Sequence, residues 1–312
     1  MQIKTIFDQN FFKEEDKIIK VGSDRKRLWA VLLDLLIEFD RVCRKNGIKY
    51  MIDGGTLLGA VRHGGFIPWD DDVDVVMSRS EYEKLNQIAS REFVAPYFWQ
   101  TNDTDPDYGK GFARLRNSST TFVARSEMDN NRLLFHHNQG VPVDIFVCDN
   151  VPDGPKERTP FLKHLSRLQS LALNLRKQGR APWRLGLLTR IPDLARKIGY
   201  IVSSFVLRQD VSHYLLKKTN AIAQRYNGLP TDCVSHLTFN ADEGTRLCFI
   251  FPHEWIDELT QLEFEGYKFY APAHWKEYLT KLYGNWHKHV VGVSEHGQVF
   301  VDLEKPYTEY LD

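Results

Sequence analysis

Between Gly54 and Met77 the chain reads GGTLLGAVRHGGFIPWDDDVDVVM, and few folds accept that order of residues. Glycine pairs flank a short apolar stretch, Leu57 to Arg62, of helical pattern, and an acidic run then passes into Val73, Val75 and Val76, which favour a strand. Side chains two apart on a strand share a face, so Asp72 and Asp74 are placed to hold one hard cation through oxygen ligands. Mg²⁺ is the expected ion, with Mn²⁺ as the alternative. Ahead of them, Tyr50-Met51-Ile52 reads as a short strand delivering the chain into Asp53, and Gly54, Gly55 and Thr56 let backbone amides approach a phosphate. The pattern points to phosphoryl transfer, in which positioning and charge neutralisation supply most of the catalysis.

The flanking sequence supplies a frame for this segment. Apolar residues at 28, 31, 32, 35, 36, 39, 42 and 43 recur as one face of a helix from Asp24 to Arg44, which Gly47 ends. Ser80-x-x-Glu83 has the form of a capping box opening another helix. Strands are expected at Gly111–Arg116, Thr120–Ala124 and Val141–Val147. Asp144 interrupts the last of these, and a lone buried aspartate is costly, so it is the candidate third acid, completing the metal site or orienting the attacking hydroxyl. A structural aspartate is the competing reading. Arg62, Arg114 and Arg116 are the candidate phosphate-binding cations, and period-two spacing puts the last two on one face. The acids at 70, 72, 74 and 81 also match positions of a calcium loop, but Val75 stands where that loop needs glycine. His136-His137 and the histidines at 287 and 289 lack ligand spacing and read as core or surface residues.

With 312 residues, 42% of them hydrophobic, the chain is long enough for a core and an addition. Lys+Arg and Asp+Glu both number 41, so no overall field draws it to nucleic acid. Residues 156–218 nevertheless hold 14 Lys or Arg against 3 acids. After the break at Val151-Pro152-Asp153-Gly154-Pro155 the pattern becomes helical to about residue 228. The expected fold class is α+β, a mixed-sheet core with helices and a mainly helical basic insertion. The expected division is a catalytic core over 1–155, the insertion over 156–245 and a part completing the core over 246–312. Four isolated cysteines argue for reduced thiols, and the first residues lack the layout of a signal peptide, so a cytoplasmic location is expected and two N-x-S/T matches are taken as chance. The stretch Trp183–Val206 mixes apolar residues with Arg184, Arg190 and Arg196, a composition suited to the inner face of a membrane. An ordinary solvated helical face explains it equally well.

Gly54–His63 and Ile67–Asp74 together resemble the LicD/fukutin-related family. The resemblance extends to Val143-Asp144-Ile145-Phe146 and, more weakly, to Tyr278-Leu279 and Tyr283-Gly284. It implies a nucleotidyltransferase-like core, with the family's metal-binding aspartates at Asp72 and Asp74 and its third acid at Asp144. The implied reaction is Mg²⁺-dependent transfer of phosphocholine from CDP-choline to a hydroxyl of a cell-surface glycan precursor, a teichoic-acid or lipopolysaccharide sugar, with release of CMP. The acceptor would be a lipid-linked or polymeric glycan. Transfer of another CDP-activated group such as ribitol phosphate, or a catalytically silent glycan-binding protein, are the alternatives. Asn285 departs from the family, many members of which carry an acid after Tyr-Gly. A choline headgroup would want aromatic faces, and Trp69, Trp99 and Tyr108 lie near the motif in sequence, although aromatics are far more often core than cage and the core is the favoured reading for each.

Overall fold

A computed structural model describes residues 23–129, 132–133, 136–180, 191–207, 210–239, 247–288 and 299–311. Helix α1 (Ser23–Lys45) carries the apolar stripe read from the sequence, and Leu32, Leu35, Leu36, Phe39 and Val42 are fully buried on it. Strand β1 (Met51–Ile52) follows, then α2 (Gly54–His63). This helix begins at Gly54, a turn earlier than its apolar pattern, and Gly64 ends it in the left-handed conformation with φ 65°. Strand β2 spans Asp74–Ser78 and α3 spans Arg79–Glu92. Ser78 rather than Ser80 is the N-cap of α3, and it forms no side-chain capping bond.

Strands β3 (Tyr97–Gln100), β4 (Ala113–Asn117) and β5 (Thr121–Ala124) come next. A small ribbon of β6 (Met128–Asp129) and β7 (Arg132–Leu133) precedes the long strand β8 (Val141–Val151). Eleven residues long, β8 organises the main sheet. On one edge it pairs in parallel with β2; on the other its first half pairs with β4 and its second half with β9 (Cys233–His236), both antiparallel. Strands β1 and β3 and strand β10 (Ile250–Pro252) extend this mixed sheet at its margins.

Three helices, α4 (Pro155–Arg180), α5 (Ile191–Leu207) and α6 (Val211–Ala223), occupy the basic stretch. The helical stretch closes at Tyr226, close to the expected end near residue 228, and Cys233–His236, inside the expected insertion of 156–245, returns to the main sheet as β9. Residues 181–190, with Trp183, Arg184 and Arg190, lie outside the described residues, as do His289 and the side chain of Arg196. Among the described residues no helix is long and apolar enough to cross a membrane.

Helix α7 (Glu254–Asp257), the hairpin β11 (Leu259–Phe264) and β12 (Tyr267–Pro272), helix α8 (Trp275–Tyr283) and β13 (Val299–Asp302), which pairs with β5, complete the fold. The two-residue turn Glu265-Gly266 has positive φ at both positions, 51° and 81°, as the Glu-Gly of a tight hairpin requires. It packs on the turn after α2: the Glu265 carboxylate accepts from the Phe66 amide at 3.0 Å, and the Glu265 amide donates to the Gly64 carbonyl at 2.8 Å. Phe264, Phe269, Tyr278 and Leu279 join the same core as α1 and β2.

At the far end of β8 from the acidic motif, Asp149 is fully buried and accepts from the Arg79 guanidinium at 2.8 and 2.6 Å. Removing Asp149 leaves Arg79, half-buried, with only the longer contact of its guanidinium to the Glu83 carboxylate at 3.4 Å. Asp149→Ala is expected to cost about 3–5 kcal/mol of unfolding free energy, read by denaturant titration; a loss below about 1 kcal/mol would contradict this role.

Candidate active site

Parallel pairing of β2 with β8 sets Asp74 opposite Asp144, and β4 on the other edge of β8 sets Arg114 opposite Asp144. Register partners share a face, so these three side chains form a row across three strands. The strand proper begins at Asp74. Asp72 precedes it in the turn, and the carboxylates of Asp70, Asp71 and Asp72 lie within 4.8 Å of one another there. The turn is clasped by α1: the Trp29 indole and the Arg25 guanidinium both donate to the Asp70 carbonyl, at 2.9 and 3.1 Å. Arg25 also lies 3.5 Å from the Asp71 carboxylate.

Two glycines make room for the acids. Gly54 has φ 51°, and a Cβ there would sit 3.2 Å from Asp74 Oδ2; a Cβ on Gly55 would sit 2.6 Å from Asp70 Oδ2. The first turn of α2 therefore faces carboxylates, at the helix end whose dipole favours negative charge. Thr56 fixes the strand to the helix, its Oγ1 accepting from the Asp74 amide at 3.0 Å. Arg62 lies in the last turn of the same helix.

The electrostatics are those of like charges forced together. Burial pushes Asp74 far above the ordinary carboxylate range, and Asp72, Asp144, Asp53 and Asp70 push it further. Asp70 is raised to about 9, first by burial and then by Asp72. Asp144 behaves differently. Burial raises it, but Arg114 donates to its two oxygens at 2.6 and 2.8 Å, and the net effect holds it below the ordinary range. Asp144 is thus a fixed negative charge and a poor proton acceptor.

Asp53 is buried at the start of α2, with its Oδ1 accepting from the Tyr278 hydroxyl at 2.7 Å and its Oδ2 3.7 Å from His236 Nδ1. Its signal in the sequence was its position directly before Gly54-Gly55, and Tyr278 lies in the weaker C-terminal part of the resemblance. Arg116 shares the face of Arg114 but is buried and spent on Gln100 Oε1 and the Gly140 carbonyl, each at 2.5 Å. The three aromatics near the motif do not converge. Trp99 is buried, stacked on Phe93 and bonded to Asn86, Tyr108 is buried near Arg114, and Trp69 packs against the main core. A broad hollow of about 520 Å³ lined by Asn150, Thr231, Asp232 and His253 lies beyond the other end of β8, away from the acids.

A crowd of buried aspartates, answered in part by Arg114, is the donor set that a hard divalent cation satisfies: oxygen ligands, and negative charge in need of neutralisation. The residues fit Mg²⁺ or Mn²⁺ on that ground.

Comparison with known proteins agrees with the resemblance read from the motif. The family model for the LicD/FKTN/FKRP nucleotidyltransferase domain matches residues 47–151. Lipopolysaccharide cholinephosphotransferase LicD of Haemophilus influenzae is 29% identical over 261 residues, covering 83% of this chain and 89% of that protein. Ribitol 5-phosphate transferase FKRP of Homo sapiens is 44% identical over 46 residues, 15% of this chain and 9% of that protein.

The raised carboxylates fix a pH dependence. Asp70 folds with its pKa moved from 3.8 to about 9, so the folded state binds the extra proton, and its contribution to stability is complete below about pH 4 and lost as pH rises toward 9. In chelator, Asp70→Asn is expected to raise the melting temperature at pH 8 by roughly 3 °C or more and far less at pH 5. Added Mg²⁺ should shrink the difference at pH 8. Equal effects at both pH values in differential scanning calorimetry would contradict the charge crowding.

Proposed function

We propose that this chain, a relative of the LicD/fukutin-related proteins through residues 47–151, is a metal-dependent transferase that moves phosphocholine from CDP-choline to a sugar hydroxyl of a cell-surface glycan precursor. The observation that carries the reading is the row of Asp74, Asp144 and Arg114 across three strands, with Asp72 and Asp70 crowded against it. The choice of phosphocholine is supported by the LicD match, which spans most of both chains.

Asp72 and Asp74 would hold Mg²⁺, with Asp144 completing the negative set. When bound, the ion would neutralise charge on the transferred phosphate and on the departing CMP. Thr56 holds the Asp74 backbone, and Gly54 and Gly55 let the acids stand against the start of α2. Arg114 keeps Asp144 ionised and brings a fixed guanidinium to the edge of the site. Phosphoryl transfer through a loose transition state asks little of a general base, which suits a site whose aspartates are arranged around charge. In-line approach of the acceptor hydroxyl is the remaining requirement.

The acceptor under this reading is a lipopolysaccharide-type sugar or a teichoic-acid unit, met on a lipid carrier or growing polymer at the inner face of the membrane. Ribitol phosphate is the second donor group, supported by the short FKRP match.

CMP release should depend on CDP-choline, Mg²⁺ and a glycan acceptor together. Asp74→Asn is expected to lower kcat by about a thousandfold or more, with the melting temperature unchanged or raised, because it removes charge from an overcrowded cluster. Release from CDP-ribitol alone would replace the donor and keep the site. Full activity in the variant would remove Asp74 from the mechanism.

A further inference from the structure

A cavity of about 270 Å³ is walled by Phe112, Phe146 and Phe239 and by Leu173 of α4 and Leu216 of α6. Phe146 lies two residues beyond Asp144 on β8, so both side chains leave the same face of the sheet. Its ring is inclined to those of Phe112, 4.8 Å away at 51°, and Phe239, 5.8 Å away at 67°, and lies nearly parallel to that of His236, 6.0 Å away at 7°. The 110–112 loop closes tightly on the segment just after β9, since a Cβ on Gly111 would fall 2.0 Å from the Thr238 carbonyl oxygen.

Lys110 also lines the cavity. Its ammonium and the Arg114 guanidinium each lie 5.5 Å from the Phe112 ring centroid. Among the described residues no carboxylate forms an ion pair with Lys110. Arg114, followed by burial, pulls its pKa down to about 7, the condition of a cation with an anion's place beside it. One cation, Lys110, and a wall that is otherwise aromatic and aliphatic apart from Gln169 and Thr238, which are bonded to the Leu237 carbonyl and the Val147 amide, describe a ligand that is anionic at one end and bulky without hydrogen-bond donors at the other.

We propose that this cavity receives the phosphocholine unit of the donor, with Lys110 pairing the phosphate and the trimethylammonium group entering against Phe146 and Phe239. The assignment rests on the phosphocholine reading of the site. A quaternary ammonium cannot donate hydrogen bonds, so it is held by ring faces and by apolar walls that accept its methyl groups, the latter supplied by Leu173 and Leu216. Phe112 has its ring taken up by Lys110 and Arg114 and serves to place those cations. Helices α4 and α6 thereby take part in choosing the donor.

Calorimetric titration of the full chain in Mg²⁺ with three probes, phosphocholine, choline and CMP, tests the proposal. Lys110→Met should weaken phosphocholine by about tenfold or more and leave choline unchanged. Phe239→Leu should weaken both phosphocholine and choline by about tenfold. CMP affinity should stay within about twofold of the native value in both variants, which also reports that each has folded. Unchanged phosphocholine affinity in both variants, or a parallel loss of CMP affinity, would overturn the assignment. Failure of the reading beneath it appears instead in the native protein, as CMP binding without phosphocholine binding, and that too would overturn the cavity's role.

Discussion

The parallel pairing of β2 with β8 is the constraint on which the rest depends. It sets Asp74 and Asp144 side by side on one face of a buried sheet, a placement that raises the energy of the fold unless positive charge is brought to it. The surrounding structure serves that placement. Helix α1 clasps the acidic turn through Trp29 and Arg25, the first turn of α2 gives up two side chains so that Asp70 and Asp74 fit, and α8 sends Tyr278 to hold Asp53. The hairpin tip at Glu265 fixes the turn that joins these pieces.

Within the cluster the acids are not equivalent. Arg114 ties down both oxygens of Asp144 and holds its pKa below the ordinary range, whereas Asp70 and Asp74 are driven toward protonation by burial first and then by their neighbours. A site with one carboxylate stabilised and two destabilised stores its demand for a cation on one side, against β2 and the turn before it. That asymmetry separates a charge-holding role for Asp144 from the ligand role proposed for Asp72 and Asp74.

Much of this was legible in the sequence because it is local. The β-branched run around Asp74, the glycines before it and the apolar strand around Asp144 each declare an element, and the family resemblance joins them. What was not legible depends on register and on distant contacts. That Arg114 rather than Arg116 faces the acids follows from which residues of β4 stand against Asp144 and from Gln100 and Gly140 claiming Arg116. Asp72 was placed on a strand, yet the strand starts two residues later because the turn is held by α1. Trp69, Trp99 and Tyr108 pack as core residues, the reading favoured for them, while the aromatic wall of the cavity comes from Phe112, Phe146 and Phe239, residues as much as 127 positions apart. The return of Cys233–His236 to the sheet, within the stretch assigned to the insertion, is likewise a long-range pairing no local pattern announces.

The central claim is that these aspartates form a divalent-cation site for phosphoryl transfer. The most direct test is anomalous diffraction from crystals of the native protein soaked in Mn²⁺ with CMP. The account predicts a manganese peak within coordination distance, about 2.0–2.3 Å, of carboxylate oxygens of Asp72 and Asp74, with the nucleotide phosphate on the same ion. A map with ordered aspartates and nucleotide but no peak between them, or with manganese held elsewhere on the chain, would contradict it.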